Sequence, residues 1–299
     1  GRRMAVGGIA RCIWRTLWFW WNTCLWRAHR RVRDGQKQLS SDENPKNHMN
    51  RFRLLPSPLD TPTGTRASRG LGIVVLLGLV MLTLLGLFFT DEDVVQGSTV
   101  RLMYIHVPTA WVAYLAFIVT AITSAMYMWG KQHSLTFDRI AGASAEVGVI
   151  FMGLCLVTGS LWGRITWGTY WQWDPRLTTT AFLFVTYVGY LAVRDLGGSH
   201  QQRAKRSAVV ALLAVLEIPL VHFSVVLWRS LHQEASVLQP NGDVTMDGLM
   251  LFSLLFGVAV FTSLFAWMVL HRQRVLMLAD AIDDGGLEAA LQERRNEAN

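Results

Sequence analysis

The chain has 299 residues, with 28 Lys and Arg against 21 Asp and Glu, a net charge of +7 and a pI of about 9.7. Apolar residues make up 52% and charged residues only 16%, well under the share that a soluble domain carries, and that content excludes disorder. Three cysteines in so long a chain exclude a disulfide scaffold, and the absence of Cys-x-x-Cys argues against thiol redox chemistry and sulfur-ligated zinc.

The basic excess is local. Residues 1–48 hold 10 Lys and Arg against 3 Asp and Glu, whereas residues 49–299 hold 18 of each. The excess therefore does not point to a nucleic-acid partner. It suits contact with anionic membrane lipid at an inner leaflet.

In chain order, residues 1–69 read as a basic, Trp-rich extension and a linker. Residues 11–27 contain five of the 13 tryptophans, but their uncharged part is only 11 residues and cannot span a bilayer. Arg11, Arg15 and Asn22 fall on one helical face, which predicts an interfacial helix. Residues 34–69, rich in Ser, Asn, Pro, Thr and Gly, read as flexible.

Long uncharged runs follow at 70–90, 102–130 and 248–271, of 21, 29 and 24 residues. Three more qualify with one blemish each: 140–161 contains Glu146, 177–193 is short, and 207–228 contains Glu217 and Pro219. The runs are continuous rather than alternating, which argues against a membrane β-barrel. The prediction is an all-α polytopic membrane protein with six transmembrane helices near 71–90, 105–129, 140–160, 177–194, 207–228 and 249–271. The membrane domain then covers 70–275, and 276–299 form a cytoplasmic tail with a short polar helix from 279.

Six spans put both termini on one side. Past residue 69 that side carries 10 Lys and Arg and the other carries only Arg101, Arg164, Arg176 and Arg229. The richer side is predicted to be cytoplasmic, which turns the loops 91–104, 161–176 and 229–248 outward.

The chemistry-bearing residues gather on that outer face. Of eight histidines, five fall in the tail, in cytoplasmic loops or at a cytoplasmic helix end. His106 opens the second span, while His222 and His232 flank the exit of the fifth. Two imidazoles offered from different helix ends can ligate a haem iron from both sides. Depth alone does not choose between His222 and His232 as the partner of His106.

Trp162, Trp167, Trp171 and Trp173 fall within 12 residues of one outer loop, with Tyr170 among them. In helical form the loop would align Trp167, Trp171 and Asp174 as a flat platform edged with indole N–H donors. Asp174-Pro175 also reads as the N-cap and first position of the fourth span. Arg101, Arg164, Arg176 and Arg229 are candidates to pair with carboxylates such as haem propionates, and a helical continuation would put Arg229 and His232 on one face. Glu146 and Glu217 are intramembrane carboxylates that suit either proton relay or packing beside a polar cleft. There is no P-loop, no His-Glu-x-x-His and no Cys-x-x-Cys-His, so ATP hydrolysis of that type and thioether attachment of haem are not expected of this chain.

These residues carry a resemblance. Trp167 to Thr178, reading WGTYWQWDPRLT, resembles the tryptophan-rich "WWD" signature of haem-handling membrane proteins. Met103-Tyr104-Ile105-His106-Val107-Pro108 and Trp228-Arg229-Ser230-Leu231-His232-Gln233 resemble the two histidine motifs of one branch, the haem exporter protein C family of cytochrome c maturation. Pro219-Leu220-Val221-His222-Phe223-Ser224-Val225 is similar as well. The likeness covers about residues 70–275. Tyr170 stands where Trp is common and Pro175 where Ala is common, and residues 1–48 have no counterpart in it.

The resemblance implies non-covalent haem b at the outer face of the cytoplasmic (inner) membrane, with His106 and His232 as axial ligands and His222 in reserve. Trp162, Trp167, Tyr170, Trp171, Trp173 and Asp174 would hold the porphyrin, with Arg101, Arg176 and Arg229 around it. It implies delivery to a periplasmic haem chaperone, beside an ABC-type ATPase, its membrane subunit and a small single-span membrane partner. The chain would then be a haem-delivery component and not an enzyme. The other readings are a membrane component of a haem-attachment synthetase, a b-type membrane oxidoreductase, which commonly needs more and deeper histidines, and a transporter working through Glu146 and Glu217.

Overall fold

The computed structural model describes residues 65–130, 133–232, 246 and 248–297, with side chains as far as residue 286. The interfacial helix expected within 11–27 lies outside the described residues. The chain divides between Pro62 and Thr63, and everything below concerns the second part.

The described residues are helical, with one isolated β-bridge, and six stretches are long and apolar enough to cross a membrane. This is the expected all-α, six-span polytopic architecture. Helix α1 (Arg66–Leu84) starts at Thr65, whose hydroxyl accepts from Ser68 N, and runs on as a π-turn over Leu85–Phe89. A 3-10 turn (Ser98–Leu102) leads directly into α2 (Met103–Trp129). Helix α3 (Leu135–Thr166) begins at the Ser134 cap, α4 (Pro175–Arg194) at Asp174, and α5 (His200–Ala214) at a Ser199/Gln202 capping box.

The fifth span is broken. Helix α6 (Glu217–Leu227) is separate from α5, although the apolar run predicts one element over 207–228. The cause is Pro219, which offers no N–H to the Val215 carbonyl and crowds it. That carbonyl instead accepts from Ile218 N at 3.2 Å. Helix α7 (Gly248–Glu297) corrects a second expectation. No break separates the last span from a short tail helix, because one helix of 50 residues continues through both.

The interior is built from small residues and a few aromatics. Ala204, Ala208, Ala211 and Ala214 form a buried stripe along α5, which packs on α2 and α4. Phe117 and Tyr187 stack with centroids 3.6 Å apart, and the Tyr187 hydroxyl donates to the Phe117 carbonyl at 3.3 Å. Without a hydrophobic drive between helices inside lipid, such close packing and hydrogen bonding is what associates them. Large apolar side chains such as Leu77, Phe182 and Val226 point outward, as lipid contact requires.

One end of the bundle is closed by a charged network. Buried Asp138, in the first turn of α3, takes Arg194 of α4 at 2.5 and 3.0 Å and Arg203 of α5 at 3.3 Å. Asp280 of α7 takes Arg139 at 3.3 Å and Arg203 at 3.2 Å, while His200 reaches Asp284 at 3.1 Å. These contacts hold the extension of α7 against the bundle, so it does not end where its apolar run ends.

Candidate functional site

The opposite end of the bundle brings together the starts of α2 and α4 and the finishes of α3 and α6. His106 sits in the first turn of α2, just before Pro108. Its Nδ1 lies 3.0 Å from Thr158 Oγ1 and 4.0 Å from Cys155 Sγ, both on α3, and its ring meets Trp162 edge-on with centroids 5.7 Å apart. Trp162 is fixed in turn by its indole N–H, which donates to Gln96 Oε1 at 2.9 Å.

His232 lies on the segment after α6. Its ring meets Trp167 at 6.4 Å, also edge-on. Each of the two imidazoles is therefore backed by a tryptophan, Trp162 in the last turns of α3 and Trp167 at its C-cap. His106 at the start of α2, Arg176 at the start of α4 and His232 beyond α6 thus lie at the same end of the bundle, with Arg176 beside His232. His222 is exposed on α6 with its ring against Phe223, and only its backbone carbonyl enters the site, accepting from Arg176 at 3.0 Å.

The Trp-rich loop is not helical. Helix α3 stops at Thr166, Trp167 caps it, and Gly168 takes φ of +77°, a left-handed conformation suited to glycine at a helix end. The expected helical strip of Trp167, Trp171 and Asp174 is thus replaced by an open turn. Ser160 holds it by donating to the Tyr170 carbonyl at 2.6 Å, and Arg164 binds the Gly168 carbonyl and covers the Tyr170 ring. Trp171 and Trp173 pack edge to face at 5.8 Å, and Trp173 remains largely exposed.

Asp174 has a role that the platform reading did not contain. It is buried and caps α4 by accepting from Arg176 N at 3.0 Å. It also accepts from Ser230 Oγ at 2.8 Å and from Leu231 N at 2.7 Å. Ser230 Oγ accepts in turn from His232 N at 3.0 Å. One carboxylate thus starts α4 and pins the segment that carries His232. A cleft of about 330 Å³ opens beside this clamp, lined by residues 172–175 and 229–231.

The arginines differ from one another. Arg176 Nη1 lies 3.4 Å from His232 Nδ1, and its Nε is buried without a partner. Arg229 is exposed and borders the cleft. It does not share a helix face with His232, because α6 ends at Leu227 and Trp228 is extended. Arg101 makes a loose 3.9 Å pair with Glu92.

The intramembrane carboxylates have partners of their own. Glu146 is ion-paired with Arg272, and Glu217 accepts from Thr186 at 2.9 Å. Thr158, Gly159 and Gln96 lie outside the motifs that the sequence displays. A signal for the first was present: Cys155, Thr158 and Trp162 are spaced three and four apart, which puts them on one helix face.

Known proteins are similar to this chain over the region that carries these residues. The family model described as "Heme exporter protein C" matches residues 61–285. A "Heme exporter protein C" of Bradyrhizobium diazoefficiens is 39% identical over 199 residues, which cover 65% of this chain and 74% of that protein. Those of Haemophilus influenzae and Escherichia coli K12 are each 34% identical, over 69% and 64% of this chain and 82% and 76% of their own lengths. The matched region contains His106, the Trp-rich loop and His232, and the chain belongs to the heme exporter protein C family.

Proposed function

We propose that this chain binds haem b non-covalently between His106 and His232 and hands it on during cytochrome c maturation. The observation that carries the reading is the placement of these two imidazoles at one end of the bundle, each against a tryptophan, with Arg176 beside His232. Among the described residues no group of three or more His, Cys, Asp or Glu could hold a bare metal ion. A porphyrin supplies four nitrogens to its iron, so two protein donors suffice, and this donor set fits.

The chain's residues divide the work. His106 and His232 supply the axial nitrogens. Trp162 and Trp167 orient the two rings, while Tyr170, Trp171 and Trp173 offer aromatic surface at the mouth. Arg176, Arg229 and Arg101 are the cations for the propionates. A guanidinium has no acceptor, so His232 Nδ1, facing Arg176, presents a lone pair. A propionate paired with Arg176 would compete with His232 for that guanidinium, which would tie seating of the cargo to the second ligand. Asp174 serves by positioning the His232 segment.

The family name supports haem export. Delivery to a periplasmic chaperone, beside an ABC-type ATPase with its membrane subunit and a small single-span partner, belongs to this proposal. So do the inner membrane as location, a site on the periplasmic face, both termini in the cytoplasm, and a delivery role without turnover. Residues 70–275 form the working domain in this reading, with 1–69 and 276–299 as appendages.

The test is the visible spectrum of the purified protein after haem-sufficient expression. We expect a six-coordinate b-type spectrum that is altered in His106→Ala and in His232→Ala but unchanged in His222→Ala. A colourless wild-type protein, or a spectrum indifferent to both substitutions, refutes the proposal.

A further inference from the structure

Thr158 and Gly159 stand on α3 directly against the His106 ring. We propose that Thr158 is a positioning residue that holds His106 in its Nδ1–H tautomer and leaves Nε2 as the standing donor to iron. This rests on the haem reading above.

The other contacts of the Thr158 hydroxyl favour one direction for this bond. Thr158 Oγ1 lies 2.8 Å from the Leu154 carbonyl and 3.2 Å from the Cys155 carbonyl, and carbonyls only accept. The single hydroxyl proton is therefore committed to the helix backbone. With its proton so placed, the hydroxyl offers His106 Nδ1, at 3.0 Å, an oxygen lone pair, and the proposal assigns the hydrogen to that nitrogen. A neutral imidazole has one ring proton, so Nε2 is bare. A hydrogen bond on the far nitrogen is the usual means by which a protein sets the orientation and basicity of a ligating histidine.

Gly159 completes the seat. A Cβ at this position would lie 2.9 Å from His106 Cε1 and 3.5 Å from Nδ1, so only glycine lets the ring settle against α3 without displacement. His232 differs, because the group facing its Nδ1 is the donor Arg176. The two ligands are thus unequal, with His106 already in the form that binds.

The experiment uses the full chain in detergent or nanodiscs, with ¹⁵N-labelled histidine. In haem-free protein the His106 resonances should report Nδ1–H, and Thr158→Val, which keeps the shape and removes the oxygen, should shift the population toward Nε2–H. Thr158→Ser should restore the wild-type tautomer. In haem titrations Thr158→Val should weaken binding about 10- to 100-fold, the usual effect of removing such a partner, and raise the haem reduction potential. Thr158→Ser should recover both. Gly159→Ala, which favours the helix, should keep the fold and weaken haem binding. An Nε2–H tautomer in the wild-type protein, or wild-type tautomer and affinity in Thr158→Val, overturns the proposal. A wild-type protein that takes up no haem counts against the haem reading itself, and the tautomer of His106 in that same sample still decides the role of Thr158.

Discussion

Replacing Asp174 by alanine tests whether this carboxylate is a clamp or part of a porphyrin platform. It removes the cap on α4, worth about 1 kcal/mol. It also removes the bonds from Ser230 Oγ and Leu231 N, at 2.8 and 2.7 Å, to a charged acceptor that is only 5% exposed. Bonds of that kind contribute about 1.5–3 kcal/mol each, so the pinning of this segment amounts to about 3–6 kcal/mol. Water recovers part of it once the segment opens, leaving about 2–4 kcal/mol to be spent on reordering His232 when haem binds. Haem affinity should therefore fall about 30- to 700-fold. Asn caps a helix as well as Asp and keeps one acceptor, so Asp174→Asn should fall between the two. Haem titration followed in the visible range, with helical circular dichroism to confirm the fold, measures the effect. Wild-type affinity and an unchanged six-coordinate spectrum in Asp174→Ala would refute the reasoning.

Two further substitutions probe the scaffold. Asp138→Ala leaves Arg194 and Arg203 facing a buried gap, and breaking such a pair costs about 3–5 kcal/mol, so thermal unfolding in detergent should drop clearly while haem binding at the far end of the bundle survives. Gly148→Ala places a Cβ 2.6 Å from Phe117 Cε1, a ring already stacked on Tyr187, and should destabilise by about 1–3 kcal/mol in the same assay. A neutral effect would mean that this packing is looser than the stacking implies.

Much of this molecule was legible because a bilayer imposes one-dimensional rules. Six apolar runs predicted six spans, and Asp174-Pro175 announced the start of α4 as cap and first residue. Orientation of the helices then put His106, the Trp-rich loop and His232 at one end. What stayed hidden depends on three-dimensional contact. Pro219 lay in plain view, but whether it bends or breaks a span depends on whether the Val215 carbonyl finds another donor, and it finds Ile218 N. The length of α7 depends on Asp280 meeting Arg139 and Arg203 from two other helices. The open form of the Trp-rich loop turns on Gly168, a single left-handed residue that ends α3. The reach of Asp174 to Ser230 crosses 56 positions, and no spacing rule covers that distance.

The central claim is that His106 and His232 of one chain bind one iron. Low-temperature electron paramagnetic resonance of the purified ferric protein tests it most directly. The account predicts a low-spin bis-imidazole signal in the wild-type protein, its conversion to a high-spin signal in His106→Ala and in His232→Ala, and its persistence in His222→Ala. A low-spin signal that survives the loss of either His106 or His232 would contradict it.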